Sequence, residues 1–159
     1  VGAANTCLDY PKKNELFDEI KKFYQSGKPI MGICLGLQIF SKKLYEHGET
    51  SGLGIINAEV INFKNVEKTN TGWLDVEINE ESSIYNHLNK NNNFYFFYSF
   101  FLNFYDTEEK KYCVGYAKNK IDIPSVVIKN NFIGTQFHPE KSQENGNKLI
   151  KFFSEWCPN

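Results

Sequence analysis

A cysteine flanked by glycines is the residue in this sequence best placed for chemistry. Cys34 lies within residues 32–36, Gly-Ile-Cys-Leu-Gly, between an apolar run and a segment with helical periodicity. A nucleophile on a sharp strand-to-helix turn needs neighbours without bulky side chains, and a helix N-terminus favours the thiolate. We therefore expect a reactive Cys34, with the N–H of Leu35 as an oxyanion donor. The pentapeptide alone leaves a buried structural cysteine equally open.

A histidine and a glutamate two residues apart form the second candidate site. His138 and Glu140 end the segment 134–140, Gly-Thr-Gln-Phe-His-Pro-Glu. Along an extended chain both side chains lie on the same face. Glu140 can then hold the imidazole in one tautomer while His138 takes and returns protons. Such a pair is more often structural when it stands alone, and His47 and His87, in polar contexts, are expected to be surface histidines.

The composition excludes several classes of function. The chain has 159 residues, a net charge of −1 and 18 lysines with no arginine, whereas nucleic-acid readers carry a basic surplus and rely on arginine. Apolar runs of roughly ten residues are too short to span a bilayer. We expect no nucleic-acid partner, no membrane association, no metal and no other cofactor. Widely spaced cysteines lack zinc-site spacing and indicate a reduced, cytoplasmic domain; they are Cys7, Cys34, Cys113 and Cys157.

The periodicity of apolar residues places Cys34 between a strand and a helix. Helical spacing predicts a helix over 12–26, and the apolar run 29–34 is typical of a strand buried on both faces. The spacing then returns to helical and predicts a second helix over 35–44. The order helix, buried strand, turn, helix indicates an α/β protein with a parallel sheet.

The rest of the chain is predicted to be rich in strands and to form one domain with no internal boundary. Strands are expected over 55–63, 73–78, 94–104 and 112–118. Residues 125–137 are expected to form a hairpin that turns at Asn130-Asn131, because asparagine tolerates positive φ. A closing helix is predicted over 141–156, and the polar stretches 65–70 and 86–93 are expected to be loops.

The two motifs together resemble those of class I glutamine amidotransferases, in which the cysteine precedes a His-x-Glu pair. Residues 32–38 and 134–142 are similar to the glutaminase subunits of imidazole glycerol phosphate synthases, and the similarity extends over nearly the whole chain, including residues 52–54, 72–73 and 95–99. The resemblance implies a three-layer, flavodoxin-like α/β fold with a mostly parallel central sheet flanked by helices. It also implies a single amidotransferase domain over 1–159 that lacks its N-terminal portion.

The same resemblance implies a role for each matched residue. Cys34 would attack the carboxamide of L-glutamine to form a thioester, and His138, oriented by Glu140, would protonate the leaving ammonia and then activate water. The backbone N–H groups of Leu35 and Gly2 would stabilise the oxyanion. The implied substrate-binding residues are Gln38, Glu46, Ser99 and Phe100. The implied partner interface includes Trp73 and Lys141.

The resemblance also implies a partner, a (β/α)₈-barrel synthase subunit that receives the ammonia in a heterodimer of histidine biosynthesis. Two segments depart from the family pattern. Where the family has His-Ser-Tyr, residues 98–100 of this chain are Tyr-Ser-Phe, and where the family has Gly-Trp-Asn, residues 72–74 are Gly-Trp-Leu. These changes keep open a paralogue that feeds a surface-sugar synthase. A stand-alone γ-glutamyl hydrolase of the same fold and a non-catalytic scaffold also remain open. An α/β-hydrolase is disfavoured, because its acid normally precedes the histidine.

Overall fold

The computed structural model describes residues 13–46, 48–62, 70–88 and 92–158. The expectations for Gly2, Cys7, His47 and most of the polar stretch 65–70 lie outside these ranges. Within them, no helix is both long and apolar enough to cross a membrane.

The described chain contains four helices and ten strands. The helices are α1 (Lys13–Gln25), α2 (Leu35–Gln38), α3 (Thr107–Lys110) and α4 (Gln143–Glu155). The strands are β1 (Ile30–Ile33), β2 (Ser41–Leu44), β3 (Thr50–Ser51), β4 (Ile56–Asn62), β5 (Asn70–Ile78), β6 (Asn93–Tyr98), β7 (Phe100–Phe104), β8 (Cys113–Asn119), β9 (Ile121–Lys129) and β10 (Phe132–Thr135). Short 3₁₀ turns occupy Tyr85–His87 and Pro139–Lys141.

The strands form two sheets, and the α/β class is confirmed. The larger sheet has the order β1-β10-β9-β8-β5-β6, and the smaller has the order β3-β2-β4-β7. The expectation of a mostly parallel sheet is wrong for the described strands: in the larger sheet only β1 and β10 run parallel, and the other pairs are antiparallel. The turns between β8, β9 and β10 are too short for the crossover of a dozen or more residues that parallel neighbours require.

Strand β10 is buried on both faces and lies between two apolar clusters. Phe132 packs with α1 residues such as Phe17 on one side, while Ile133 packs with Leu149 of α4 on the other. Successive side chains of a strand point to opposite faces, so α1 and α4 cover opposite sides of the sheet around β10. The strand that leads to His138 is therefore held rigidly in the centre of the fold.

Most of the predicted elements are confirmed. Helices α1 and α4 coincide closely with the predicted segments 12–26 and 141–156, and β1 matches the buried run 29–34. The expected hairpin turns at Asn130, whose φ is 53°. The predicted loop at 86–93 is only partly a loop, because a 3₁₀ turn includes its start and β6 begins at Asn93.

Two predicted elements are wrong in extent. The helix expected over 35–44 ends at Gln38, and the chain continues as β2, whose backbone pairs with β3 and β4. Phe40 and Leu44 are both buried, and residues four apart share one face of a helix and also one face of a strand, so apolar spacing could not separate the two. The single strand expected over 94–104 is interrupted at Ser99, where β6 ends in one sheet and β7 begins in the other.

The turn that carries His138 packs closely against α4. The backbone of Gly146 in α4 comes so near Pro139 that a Cβ at this position would collide with the Pro139 carbonyl oxygen. Because the obstacle is backbone, no side-chain rotation relieves the collision. The glycine therefore allows α4 to pack directly on the His-Pro-Glu turn.

We expect Gly146→Ala to lower the free energy of unfolding by about 1–3 kcal/mol, the usual cost of overpacking. Gly36→Ala is the matched control, since a Cβ at Gly36 meets nothing within 4 Å. Urea denaturation of both variants measures the difference. Equal stability of Gly146→Ala and the unmodified chain would show that the turn and α4 are not in contact.

Candidate active site

Cys34 lies on a strained turn between β1 and α2. Its φ of 51° and ψ of −106° lie outside the regions that residues with a Cβ favour. The N–H of Cys34 donates to the Thr135 carbonyl at 2.7 Å, which anchors the turn to β10. A Cβ on Gly32 would lie 2.6 Å from the Gly36 carbonyl oxygen, so the turn needs glycine at position 32. The expected strand-to-helix elbow is therefore present.

The thiol of Cys34 is buried, with 6% of the residue exposed. Burial is the largest influence and raises the thiol pKa above its ordinary value. A hydrogen bond from the Leu35 N–H lowers it by less, and the carboxylates of Glu140 and Glu46 raise it further. This direction of the pKa runs against the expectation of a thiolate favoured by the helix N-terminus, because burial has the largest influence on the thiol and α2 has only four residues.

The histidine and glutamate of the second motif are in contact. Nδ1 of His138 lies 2.7 Å from Oε1 of Glu140, as the spacing predicted. His138 is 8% exposed, and its Nε2 has no hydrogen-bond partner among the described residues. In the parallel pairing of β1 and β10, Ile33 is opposite Thr135, so Cys34 and His138 both follow the carboxyl ends of adjacent strands. Such an edge is the usual position of an α/β active site.

Ser142 holds the backbone of His138 in place, a role that the sequence did not reveal. Its Oγ donates to the His138 carbonyl at 2.6 Å and accepts from the N–H of Tyr95 at 2.9 Å. The His138 N–H in turn donates to the Tyr95 carbonyl at 2.9 Å. A serine directly before α4 predicts a helix cap, but this hydroxyl makes no cap hydrogen bond. It ties the histidine to β6 instead.

Three of the four expected substrate-binding residues, Gln38, Ser99 and Phe100, lie at or contact the turn between β6 and β7. Nε2 of Gln38 donates to the Phe100 carbonyl at 2.8 Å, and the Phe97 carbonyl lies 3.7 Å from Sγ of Cys34. Ser99 lies between the two strands. Glu46 follows β2, half-buried and near enough to influence the thiol. The carbonyl of Phe97, near the end of β6, therefore faces the thiol.

Gln136 is a second buried polar residue, and its place in the sequence motif 134–140 did not indicate a role. Its carboxamide lies between Cys34 and Gln38, with Nε2 3.8 Å from Sγ and Oε1 3.2 Å from Nε2 of Gln38. One signal in the sequence could have identified Gln136. The residue is polar but lies in a mainly apolar run that leads into His-Pro-Glu.

Trp73 and Lys141, the expected interface residues, both contact the ring of Tyr95. Trp73 is 43% exposed and meets the Tyr95 ring edge-on at a centroid distance of 5.9 Å. Nζ of Lys141 lies over the same ring, also 5.9 Å from its centroid. We refer to Trp73, Tyr95 and Lys141 as the aromatic patch. The patch contacts the backbone of His138 through the Tyr95 carbonyl and through the Lys141 N–H, which donates to the His138 carbonyl at 3.0 Å.

The described ranges contain no group of three or more His, Cys, Asp or Glu residues arranged to hold a metal ion. Their three cysteines, at positions 34, 113 and 157, are free thiols. The buried Cys113 has its pKa raised to about 11 by desolvation. It is therefore a weaker candidate nucleophile than Cys34.

Sequence comparisons relate the chain to one family. The sequence profile for "Glutamine amidotransferase class-I" matches residues 9–156. "Imidazole glycerol phosphate synthase subunit HisH" of Lactococcus lactis is 40% identical over 156 residues, 98% of this chain and 76% of the relative. The protein of the same name from Methanocaldococcus jannaschii is 38% identical over 141 residues, 88% of this chain and 70% of the relative.

Solved structures support the same fold. A protein described as a glutamine amidotransferase gives a TM-score of 0.65 at 19% identity, covering 97% of this chain and 74% of its own. Another, from Thermotoga maritima, gives 0.62 at 18% identity, covering 98% of this chain and 59% of its own. At such low identity the likeness concerns the fold alone, and it confirms the expected amidotransferase architecture.

The buried thiol makes a prediction about reactivity. Because burial raises the pKa of Cys34, its alkylation by iodoacetamide should increase about tenfold per pH unit between pH 6.5 and about pH 8.5, following the thiolate fraction. Mass spectrometry of the Cys34 peptide measures the rate, and the more strongly shifted Cys113 should react more slowly. A rate that levels off near pH 7 would show a stabilised thiolate and contradict the prediction.

Proposed function

The chain belongs to the class-I glutamine amidotransferases, and we propose that it hydrolyses L-glutamine through a thioester on Cys34 and passes the ammonia to a synthase subunit. The observation that carries the proposal is that Cys34 and the His138–Glu140 pair both follow the carboxyl ends of the paired parallel strands β1 and β10. The names of the relatives support imidazole glycerol phosphate synthase as the complex that it serves.

In the first step, Sγ of Cys34 attacks the side-chain carbonyl carbon of glutamine. The thiol is neutral before the attack, since burial raises its pKa, so its proton must leave as the S–C bond forms. Nε2 of His138, which has no hydrogen-bond partner in the described chain, is the proposed acceptor. Glu140, 2.7 Å from Nδ1, then stabilises the imidazolium and keeps the ring oriented.

The second step releases ammonia, and the third restores the thiol. The N–H of Leu35, which hydrogen-bonds to the sulfur, stabilises the oxyanion of the tetrahedral intermediate, with Gly2 as the second donor by resemblance. As the C–N bond breaks, His138 returns its proton to the departing nitrogen. His138 next takes a proton from water, which attacks the thioester, and glutamate leaves as Cys34 recovers a proton.

Glutamine would bind against the turn between β6 and β7. We assign the half-buried carboxylate of Glu46 to the α-ammonium group of the substrate, a charge-assisted contact. The backbone around Ser99 and Phe100 would face the rest of the amino acid. Gln38 fixes that backbone through its 2.8 Å hydrogen bond to the Phe100 carbonyl, so the tyrosine-to-phenylalanine departure at position 100 leaves this contact intact.

The aromatic patch is the proposed docking surface for the (β/α)₈-barrel synthase subunit in a heterodimer. Exposed aromatic residues beside a cation are typical of interface hot spots. The backbone N–H and carbonyl of Tyr95 both hydrogen-bond to the turn that carries His138. A partner bound to the patch would therefore contact residues that position the histidine. Free thiols in the described chain fit a reducing compartment, and we propose the cytoplasm.

We expect Cys34→Ala to reduce glutamine hydrolysis by about 10⁴-fold or more, the usual effect of removing a nucleophile. Binding to the synthase subunit and synthesis from added ammonia should survive, because neither uses the thiol. Cys157→Ala, at an exposed free cysteine, is the control and should retain activity. Unchanged glutamine turnover in Cys34→Ala would remove Cys34 from its proposed role.

We expect Trp73→Ala to weaken binding of the synthase subunit by roughly tenfold to a hundredfold, as for a hot-spot aromatic residue. Phe23→Ala is the matched control, because Phe23 is 45% exposed and also lies beside a lysine, at 5.9 Å from Nζ of Lys28. Calorimetric titration with the synthase subunit measures both. Equal affinities for the two variants would contradict the proposed interface, and partner-independent turnover of γ-glutamyl peptides would favour a stand-alone hydrolase.

A further inference from the structure

Gln136 occupies an unusual position for a polar side chain. It directly follows β10, is 0% exposed, and its backbone N–H donates to the Ser125 carbonyl at 3.0 Å. Ile133 and Phe137, close to it in the chain, are fully buried as well. A buried carboxamide is costly unless its donor and acceptor groups are bonded, so the partners of this side chain define what it does.

The hydrogen bonds of Gln136 form a chain that ends at the sulfur of Cys34. Nε2 of Gln38 donates to the Phe100 carbonyl at 2.8 Å and to Oε1 of Gln136 at 3.2 Å. Nε2 of Gln136 then lies 3.8 Å from Sγ, a hydrogen-bond distance for sulfur. The chain connects the start of β7 with the nucleophile through two amide side chains.

The orientation of the Gln136 amide follows from this chain. A carbonyl oxygen can only accept, so Gln38 must present its NH₂ group to Phe100. The same NH₂ group faces Gln136, which must therefore present its oxygen. The Nε2 group of Gln136 is consequently directed at Cys34, and rotating the amide by 180° would bring two NH₂ groups together.

We infer that Gln136 is a positioning residue, which holds the sulfur of Cys34 in place and orients the side chain of Gln38 relative to it. The inference rests on the proposed role of Cys34 as the nucleophile. An N–H directed at sulfur binds the thiolate more strongly than the thiol, because the bond becomes charge-assisted. Gln136 thus favours the ionised sulfur, in opposition to burial and to the nearby carboxylates of Glu140 and Glu46.

The test compares Gln136→Met with Gln38→Met. Methionine fills similar volume in each, but only Gln136→Met removes the donor to sulfur. The ¹³Cβ resonance of Cys34 reports its protonation, and its midpoint should rise by about one pH unit in Gln136→Met. In Gln38→Met the midpoint should move less than half as far, although the KM for glutamine should rise. An unchanged midpoint in Gln136→Met would overturn the inference.

A measurement on the native side chain covers the case in which Gln136→Met does not fold. The chain has four glutamines, so ¹⁵N labelling of their side-chain amides gives a simple spectrum. The Gln136 amide resonances should shift on Cys34→Ala, whereas those of Gln143, outside the site, should not. Unmoved Gln136 resonances would overturn the inference. Neither readout needs glutamine turnover, so failure of the proposed function would be seen separately.

Discussion

The parallel pairing of β1 with β10 is the constraint on which the site depends. Ile33 and Thr135 are opposite each other at the ends of the two strands, and the Cys34 N–H donates to the Thr135 carbonyl at 2.7 Å. Parallel strands bring their carboxyl ends to the same edge. Two short motifs about a hundred residues apart therefore follow the same edge of the sheet, and apolar clusters pack on both faces of β10.

The electrostatic environment of the Cys34 thiol determines what the proposed mechanism requires. Burial has the largest influence on the Cys34 thiol and raises its pKa, and the carboxylates of Glu140 and Glu46 raise it further. In the proposed mechanism the nucleophile is therefore a neutral thiol, and His138 removes its proton during the attack. Two contacts hold the histidine in place for this role. Ser142 hydrogen-bonds to the His138 carbonyl, and Gly146 packs closely against Pro139.

The sequence predicted the parts of the molecule that local rules decide. The elbow at Cys34, the His138–Glu140 contact and the turn at Asn130 each follow from a few neighbouring residues. The features that it missed depend on tertiary pairing. The four-residue spacing of Phe40 and Leu44 fits one face of a helix or of a strand. The pairing of β2 with β4 decides that this segment is a strand. The state of the thiol and the contacts of Gln136 likewise depend on residues distant in sequence.

A covalent intermediate on Cys34 is the most direct measure of the proposed chemistry. The chain, in complex with its synthase subunit, is mixed with L-glutamine, quenched in acid during turnover and analysed by peptide mass spectrometry. A hydroxylamine-labile glutamyl adduct on the Cys34 peptide is the predicted result. Steady release of ammonia with no adduct on Cys34, or with the adduct on another residue, would contradict it.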